Sequence, residues 1–167
     1  LGLPRKNDFW LSLLIILITI ILAIGRLLNW YSLGFFIGLF RASHWFVIIG
    51  SIYIAIATPI FSILKRHLQT KYEALMRFHV IGNLSAVLLV TIHFTSQVTR
   101  PTANYPELGT GLALYVVMLL LVASGFPYRF RIIQPLKTGT NRLVHVGVAL
   151  SFYLLIGIHV LHGLGVI

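Results

Sequence analysis

Arg77-Phe78-His79-Val80-Ile81-Gly82-Asn83-Leu84-Ser85-Ala86-Val87-Leu88-Leu89-Val90-Thr91-Ile92-His93 is an apolar run closed at each end by a histidine. A second run opens with Arg142-Leu143-Val144-His145 and reaches its own second histidine at His159. Both pairs are 14 residues apart. On an α-helix 14 residues is close to four turns, so the two rings of a pair share one face, about 21 Å apart along the axis. A histidine inside an apolar span is costly and usually functional. Two pairs of identical spacing make the fold and the chemistry one question.

Working outward, the rest of the chain has the same character. Its 167 residues are 58% hydrophobic and 10% charged, with a mean hydropathy of +0.94. Apolar runs of about 20 residues recur, long enough to cross a bilayer. Five spans are expected, at about 9–28, 43–64, 74–97, 108–126 and 141–166. The fold class that follows is all-α: a polytopic membrane helical bundle, one transmembrane domain over 1–167, in contact with membrane lipid. The first run is too long for a typical signal-peptide core and lacks a small-residue cleavage site. The stretch from Trp30 to Phe40 is apolar and aromatic but too short to cross. It reads as an interfacial segment, with Trp30, Tyr31 and Trp45 at headgroup level. Pro59 is expected to kink the second span. Pro101, Pro106, Pro127 and Pro135 are expected to mark loops or helix ends.

The net charge of +10 would suit nucleic acid in a soluble protein. In a chain this apolar it reads instead as loops facing an anionic membrane surface. Ten basic residues fall on one side: Arg5, Lys6, Lys65, Arg66, Lys71, Arg77, Arg129, Arg131, Lys137 and Arg142. Three, Arg26, Arg41 and Arg100, fall on the other. The positive-inside rule then puts the N-terminus in the cytoplasm and the C-terminus outside. The third and fifth spans run the same way, so their histidines match in depth. His79 and His145 lie toward the cytoplasm, His93 and His159 toward the outer side.

That arrangement suits two stacked b-type haems. Haem iron binds neutral imidazole, and two axial histidines fill its coordination sphere, leaving a centre that mainly moves electrons. The second ring nitrogen of each histidine needs an acceptor to fix its orientation. The chain has no cysteine, so any haem is held non-covalently and Cys-ligated clusters are excluded. Gly82 and Gly147, each within a turn of an inner histidine, would give a macrocycle room, or else serve close helix packing. Phe152 is seven residues from both His145 and His159 and is expected on their face at mid-membrane. Arg77 and Arg142 would pair with propionates of the inner haem or anchor their helix ends; Arg100 would do the same for the outer haem. His44 is a candidate proton or substrate contact, His67 a solvated loop residue. His162 competes with His159 as outer ligand but is turned roughly 100° from the shared face.

No Gly-x-Gly-x-x-Gly and no Walker A motif is present; Gly109-Thr110-Gly111 is too short a match. Only Asp8, Glu73 and Glu107 are acidic, all near span ends, which excludes paired-carboxylate catalysis. Asn83-Leu84-Ser85 fits a glycosylation pattern but lies inside a span. With Arg77-Phe78-His79 … His93 and Arg142-Leu143-Val144-His145 … His159 in hand, the chain resembles the ferric reductase-like transmembrane domain, the haem core of ferric reductases and NADPH oxidases. The resemblance covers nearly all of the chain; cytochrome b561 types use similar arrangements. It implies that each haem bridges two helices, His79 with His145 and His93 with His159. Members of that family usually add a sixth span and a cytosolic flavin and nicotinamide domain, which these 167 residues lack. The expected role is therefore electron transfer with a donor supplied by another subunit, a flavoprotein or a quinol. Two alternatives stand beside it: a haem-bearing anchor of a larger respiratory or photosynthetic complex exchanging electrons with quinone, and a non-redox bundle with a histidine proton relay.

Overall fold

The computed structural model describes residues 6–100, 109–132, 138–163 and 165–166. Arg5, Lys137, Glu107 and the prolines at 101, 106 and 135 lie outside the described residues. Five helices are formed: α1 (Lys6–Leu27), α2 (Ala42–His67), α3 (Tyr72–Val98), α4 (Gly109–Phe130) and α5 (Thr138–Gly163). All five are long and apolar enough to cross a membrane, and the chain is a multi-pass integral membrane protein. Between α1 and α2 two short antiparallel strands, β1 (Phe36–Ile37) and β2 (Phe40–Arg41), pair Phe36 with Arg41 and Ile37 with Phe40. A single 3-10 turn, Gln69–Lys71, leads into α3. Contacts gather into two units, Leu1–Tyr105 and Pro106–Ile167.

In the first unit α3 packs against both α1 and α2. It carries the largest set of buried residues: Leu84, Ala86, Val87, Thr91, Ile92, Thr95 and Ser96. Several are small or hydroxylic, as close helix packing in lipid requires. The hydroxyls of Thr91, Thr95 and Thr99 each donate to the carbonyl four residues back, at 2.7, 2.9 and 2.9 Å, which satisfies them without a neighbour. At the α2–α3 crossing a Cβ on Gly50 would lie 3.0 Å from the Ala86 carbonyl oxygen, so glycine sets that approach. Asp8, buried in the first turn of α1, forms an ion pair with Arg77, Oδ1 to Nε at 3.0 Å. This ion pair joins the starts of α1 and α3, which therefore run in the same direction.

The expected interfacial segment is a hairpin. Gly38 turns it at a φ of 62°, a conformation glycine adopts without Cβ strain. The Trp45 indole donates to the Ile37 carbonyl at 2.8 Å and its ring meets Phe40 edge-on. Leu39 at the tip is 89% exposed. The end of α1 closes with Asn29 at a φ of 58° while Trp30 N–H donates to the Gly25 carbonyl at 2.8 Å, a left-handed helix stop. Trp30 is exposed, whereas the Tyr31 hydroxyl turns back to donate to the Leu22 carbonyl at 2.7 Å. Burial pushes that phenol above its ordinary pKa, with Arg26 pulling the other way.

Two prolines expected to bend or end helices lie inside them. α2 runs unbroken through Pro59. α4 continues past Pro127 for three residues to Phe130, with Phe126 and Phe130 rings 4.9 Å apart supporting the extra turn. It stops at Arg131, φ 55°, where Ile132 N–H reaches the Pro127 carbonyl at 3.1 Å. In the second unit α4 and α5 pack on each other. Leu143, Leu150, Leu154 and Leu161 are exposed along one stripe of α5. By the ~100° turn per residue that stripe lies opposite His145, Phe152 and His159.

Candidate functional site

The four histidines sit in two unbroken helices, His79 and His93 on α3, His145 and His159 on α5. Each pair is thereby held about 21 Å apart along its own axis. In all four, ring nitrogen Nδ1 has a hydrogen-bonding neighbour, and α2 and α4 supply most of them.

His93 Nδ1 is 3.2 Å from the Ser43 carbonyl oxygen in the first turn of α2. A carbonyl only accepts, so Nδ1 carries the proton and the neutral ring keeps its lone pair on Nε2. The Gln97 carboxamide, at 3.5 Å, is the looser neighbour. His145 Nδ1 is 2.9 Å from the Ser124 hydroxyl on α4. Ser124 donates its own proton to the Leu121 carbonyl at 3.2 Å. Its oxygen is thus left to accept, and His145 has the same tautomer as His93. Asn141, buried one turn before His145, donates to the Ser124 carbonyl at 3.5 Å. His159 Nδ1 is 3.0 Å from the Thr110 hydroxyl in the first turn of α4.

His79 is held differently. Its ring lies flat on Phe61 of α2, with centroids 4.3 Å apart and planes 16° apart. Nδ1 is 3.0 Å from the Asn83 carboxamide, which also meets Thr58 Oγ1 at 3.5 Å. Turned by 180° the carboxamide keeps both contacts and accepts from Nδ1–H instead of donating. With Asn83 Nδ2 facing it, Nδ1 accepts; with the carboxamide turned, Nδ1–H donates, so either tautomer of His79 finds a partner.

The other expected contacts fare unevenly. Phe152 is 3% exposed, in line with the histidine face of α5. The room at Gly82 is already filled: the Tyr53 hydroxyl occupies the place of a Cβ there, and donates to the Phe78 carbonyl at 2.9 Å. Gly147 is exposed, with nothing among the described residues near its missing Cβ. It lies about 200° around the helix from His145, away from the ring. The glycines that border histidines are others, on α4. A Cβ on Gly125 would lie 3.0 Å from His145 Cε1, and one on Gly111 3.3 Å from His159 Cε1. Thr110-Gly111 and Ser124-Gly125 are themselves 14 residues apart, a signal readable in the sequence and missed there.

Arg77 is committed through Nε to Asp8, which makes it the tie between α1 and α3. Arg142 is exposed at the start of α5. At the far end of α3, burial and the Arg41 charge hold the Arg100 guanidinium below its ordinary pKa. The His44 ring is 5.3 Å from that of His93, and its Nδ1 is buried without a hydrogen-bond partner among the described residues. His67 ends α2 beside Lys65 and Arg66, where positive charge suits the helix dipole. His162 is exposed, one turn beyond half-buried His159.

Among the described residues no three or more histidines or carboxylates gather as a metal-ion site. A bis-histidine haem needs only two protein ligands. The tautomer argued for His93 and His145 suits it: an imidazole with Nδ1–H bonded and the lone pair on Nε2 is the form that ligates iron. No family model, no curated protein and no solved structure matches the chain.

Proposed function

We propose that the chain is a di-haem cytochrome b that carries electrons across a membrane, built like the transmembrane core of the ferric reductase-like family. On that family's pattern His79 and His145 would hold the haem on the cytoplasmic side, and His93 and His159 the one on the outer side. One observation carries this reading. Four intramembrane histidines, in two pairs of equal spacing, all have Nδ1 engaged, and at His93 and His145 the neighbouring groups place the proton there. A proton relay needs rings that exchange tautomers; rings with the proton held at Nδ1, as at His93 and His145, suit a fixed ligand bond. Bound there, haem supplies a reversible one-electron iron couple.

The protein's part is to hold and orient. α2 and α4 fix the ring planes, α3 and α5 fix the separation, and Phe152 fills the mid-height between His145 and His159. Arg142 on the cytoplasmic side and Arg100 on the outer side offer charges for propionates, while Arg77 serves Asp8. Electrons enter from a redox partner on one side, a flavoprotein or a quinol, and leave on the other.

A reduced-minus-oxidised absorption spectrum, with haem quantified per chain, is the test. Two b-type haems are expected. His79→Ala and His93→Ala should each remove one. A haem-free protein from haem-replete cells, or two haems retained in both variants, would overturn the assignment.

A further inference from the structure

We propose that α4 is a dedicated positioning helix: its Ser124-Gly125 and Thr110-Gly111 steps set the proton location and ring seat of His145 and His159, and through them the potential of each haem. This rests on the di-haem reading above.

The two steps repeat one another. Each offers a hydroxyl to Nδ1, at 2.9 Å from Ser124 and 3.0 Å from Thr110. Each follows it with a glycine whose missing Cβ leaves room for the ring edge: a Cβ there would lie 3.0 Å from His145 Cε1 at Gly125 and 3.3 Å from His159 Cε1 at Gly111. Fourteen residues up α5 correspond to fourteen down α4, so the antiparallel register brings the same pair of residues to each histidine. Histidine in a membrane helix does not demand this. On α3 the same task falls to a backbone carbonyl at His93 and to a carboxamide with a stacked ring at His79. The repetition on α4 belongs to that helix.

Its chemical consequence has a direction. A hydroxyl oxygen that accepts from Nδ1–H makes the imidazole a stronger donor at Nε2. That favours the ferric iron over the ferrous and lowers the potential. At Ser124 the acceptor role is favoured, because with its proton on the Leu121 carbonyl the hydroxyl makes both bonds at once. Removing the hydroxyl weakens the ligand and raises the potential of that haem alone. Ser124 acts on one haem and Thr110 on the other, so the gap between the two potentials is adjustable from a helix that supplies no ligand.

The test is redox titration of the protein in lipid nanodiscs, following the haem absorption bands, for Ser124→Ala and Thr110→Ala. Each variant should keep two haems and move one midpoint upward, a different one in each, with Ser124→Thr and Thr110→Ser leaving it in place. A packing role alone would lower the melting temperature of both variants and leave the midpoints where they were, which overturns the proposal. The ¹⁵N shifts of His145 in haem-depleted protein give a separate readout. Nδ1–H should dominate in the native sequence and give way to Nε2–H in Ser124→Ala. If the tautomer does not respond to Ser124, the positioning role fails even where haem is bound. If it responds in a chain that takes up no haem, the di-haem reading fails, and with it the effect on potential.

Discussion

Gly82→Ala separates two roles for a glycine beside His79. In the structure the space that alanine would need is taken by the Tyr53 hydroxyl. The ring must move, and its bond to the Phe78 carbonyl breaks. Overpacking of this kind costs ~1–3 kcal/mol, and the lost hydrogen bond adds about 1 kcal/mol. Alanine returns about 1 kcal/mol of helix propensity, so the net loss is about 2 kcal/mol. In a Tyr53→Ala background the obstacle is gone and only the propensity gain remains. There Gly82→Ala should be neutral or stabilising by up to ~1 kcal/mol. The coupling between the two sites is thus about 3 kcal/mol, far above the ~0.5 kcal/mol within which independent sites add. Reversible unfolding in mixed micelles, on the four corners of the cycle, measures it. An equal cost of Gly82→Ala in both backgrounds would refute the packing account. Haem content, measured on the same samples, tests the rival role. A glycine that admitted a macrocycle would lose haem on substitution whether or not Tyr53 were present.

Two more predictions concern the α1–α3 contact. Arg77→Ala leaves the buried Asp8 carboxylate unpaired and should cost about 3 kcal/mol, whereas Asp8→Asn leaves only a half-exposed guanidinium behind and should cost under about 1 kcal/mol; chemical unfolding of the two variants should show that order. Ser12 is fully buried with no hydrogen-bond partner for its hydroxyl among the described residues, so Ser12→Ala should be neutral or raise stability by up to about 1 kcal/mol, read as a higher melting temperature in detergent.

The helices were legible because lipid rewards one pattern. An apolar run of about 20 residues must satisfy its backbone internally, and only a helix does that within one segment. Hence α1 to α5 fall within a few residues of the expected spans. The differences are at ends, where local geometry decides. α4 outlasts Pro127 because a proline removes one bond and the next turn can still close on Arg131. The hairpin at Phe36–Arg41 was legible only as an apolar interfacial stretch. Two-residue strands depend on Gly38 and on Trp45 from a neighbouring helix, not on a period in the sequence.

The candidate ligands are a matter of sequence, because spacing on a helix maps directly onto a face. Helical periodicity by itself determined that His79 and His93 share a side of one span, and His145, Phe152 and His159 a side of another. The surroundings of those rings are a matter of tertiary structure. Asn83 meets His79 from one turn along the same helix; at the other three rings the atom that meets Nδ1 depends on how antiparallel neighbours are registered, and no local rule states that Ser124 stands opposite His145 or Ser43 opposite His93. For the same reason the glycines near in sequence, Gly82 and Gly147, proved to face Tyr53 and open space, while the distant Gly111 and Gly125 border the histidines. A helix fixes angles within itself; packing against α2 and α4 fixes what meets Nδ1 of His93, His145 and His159.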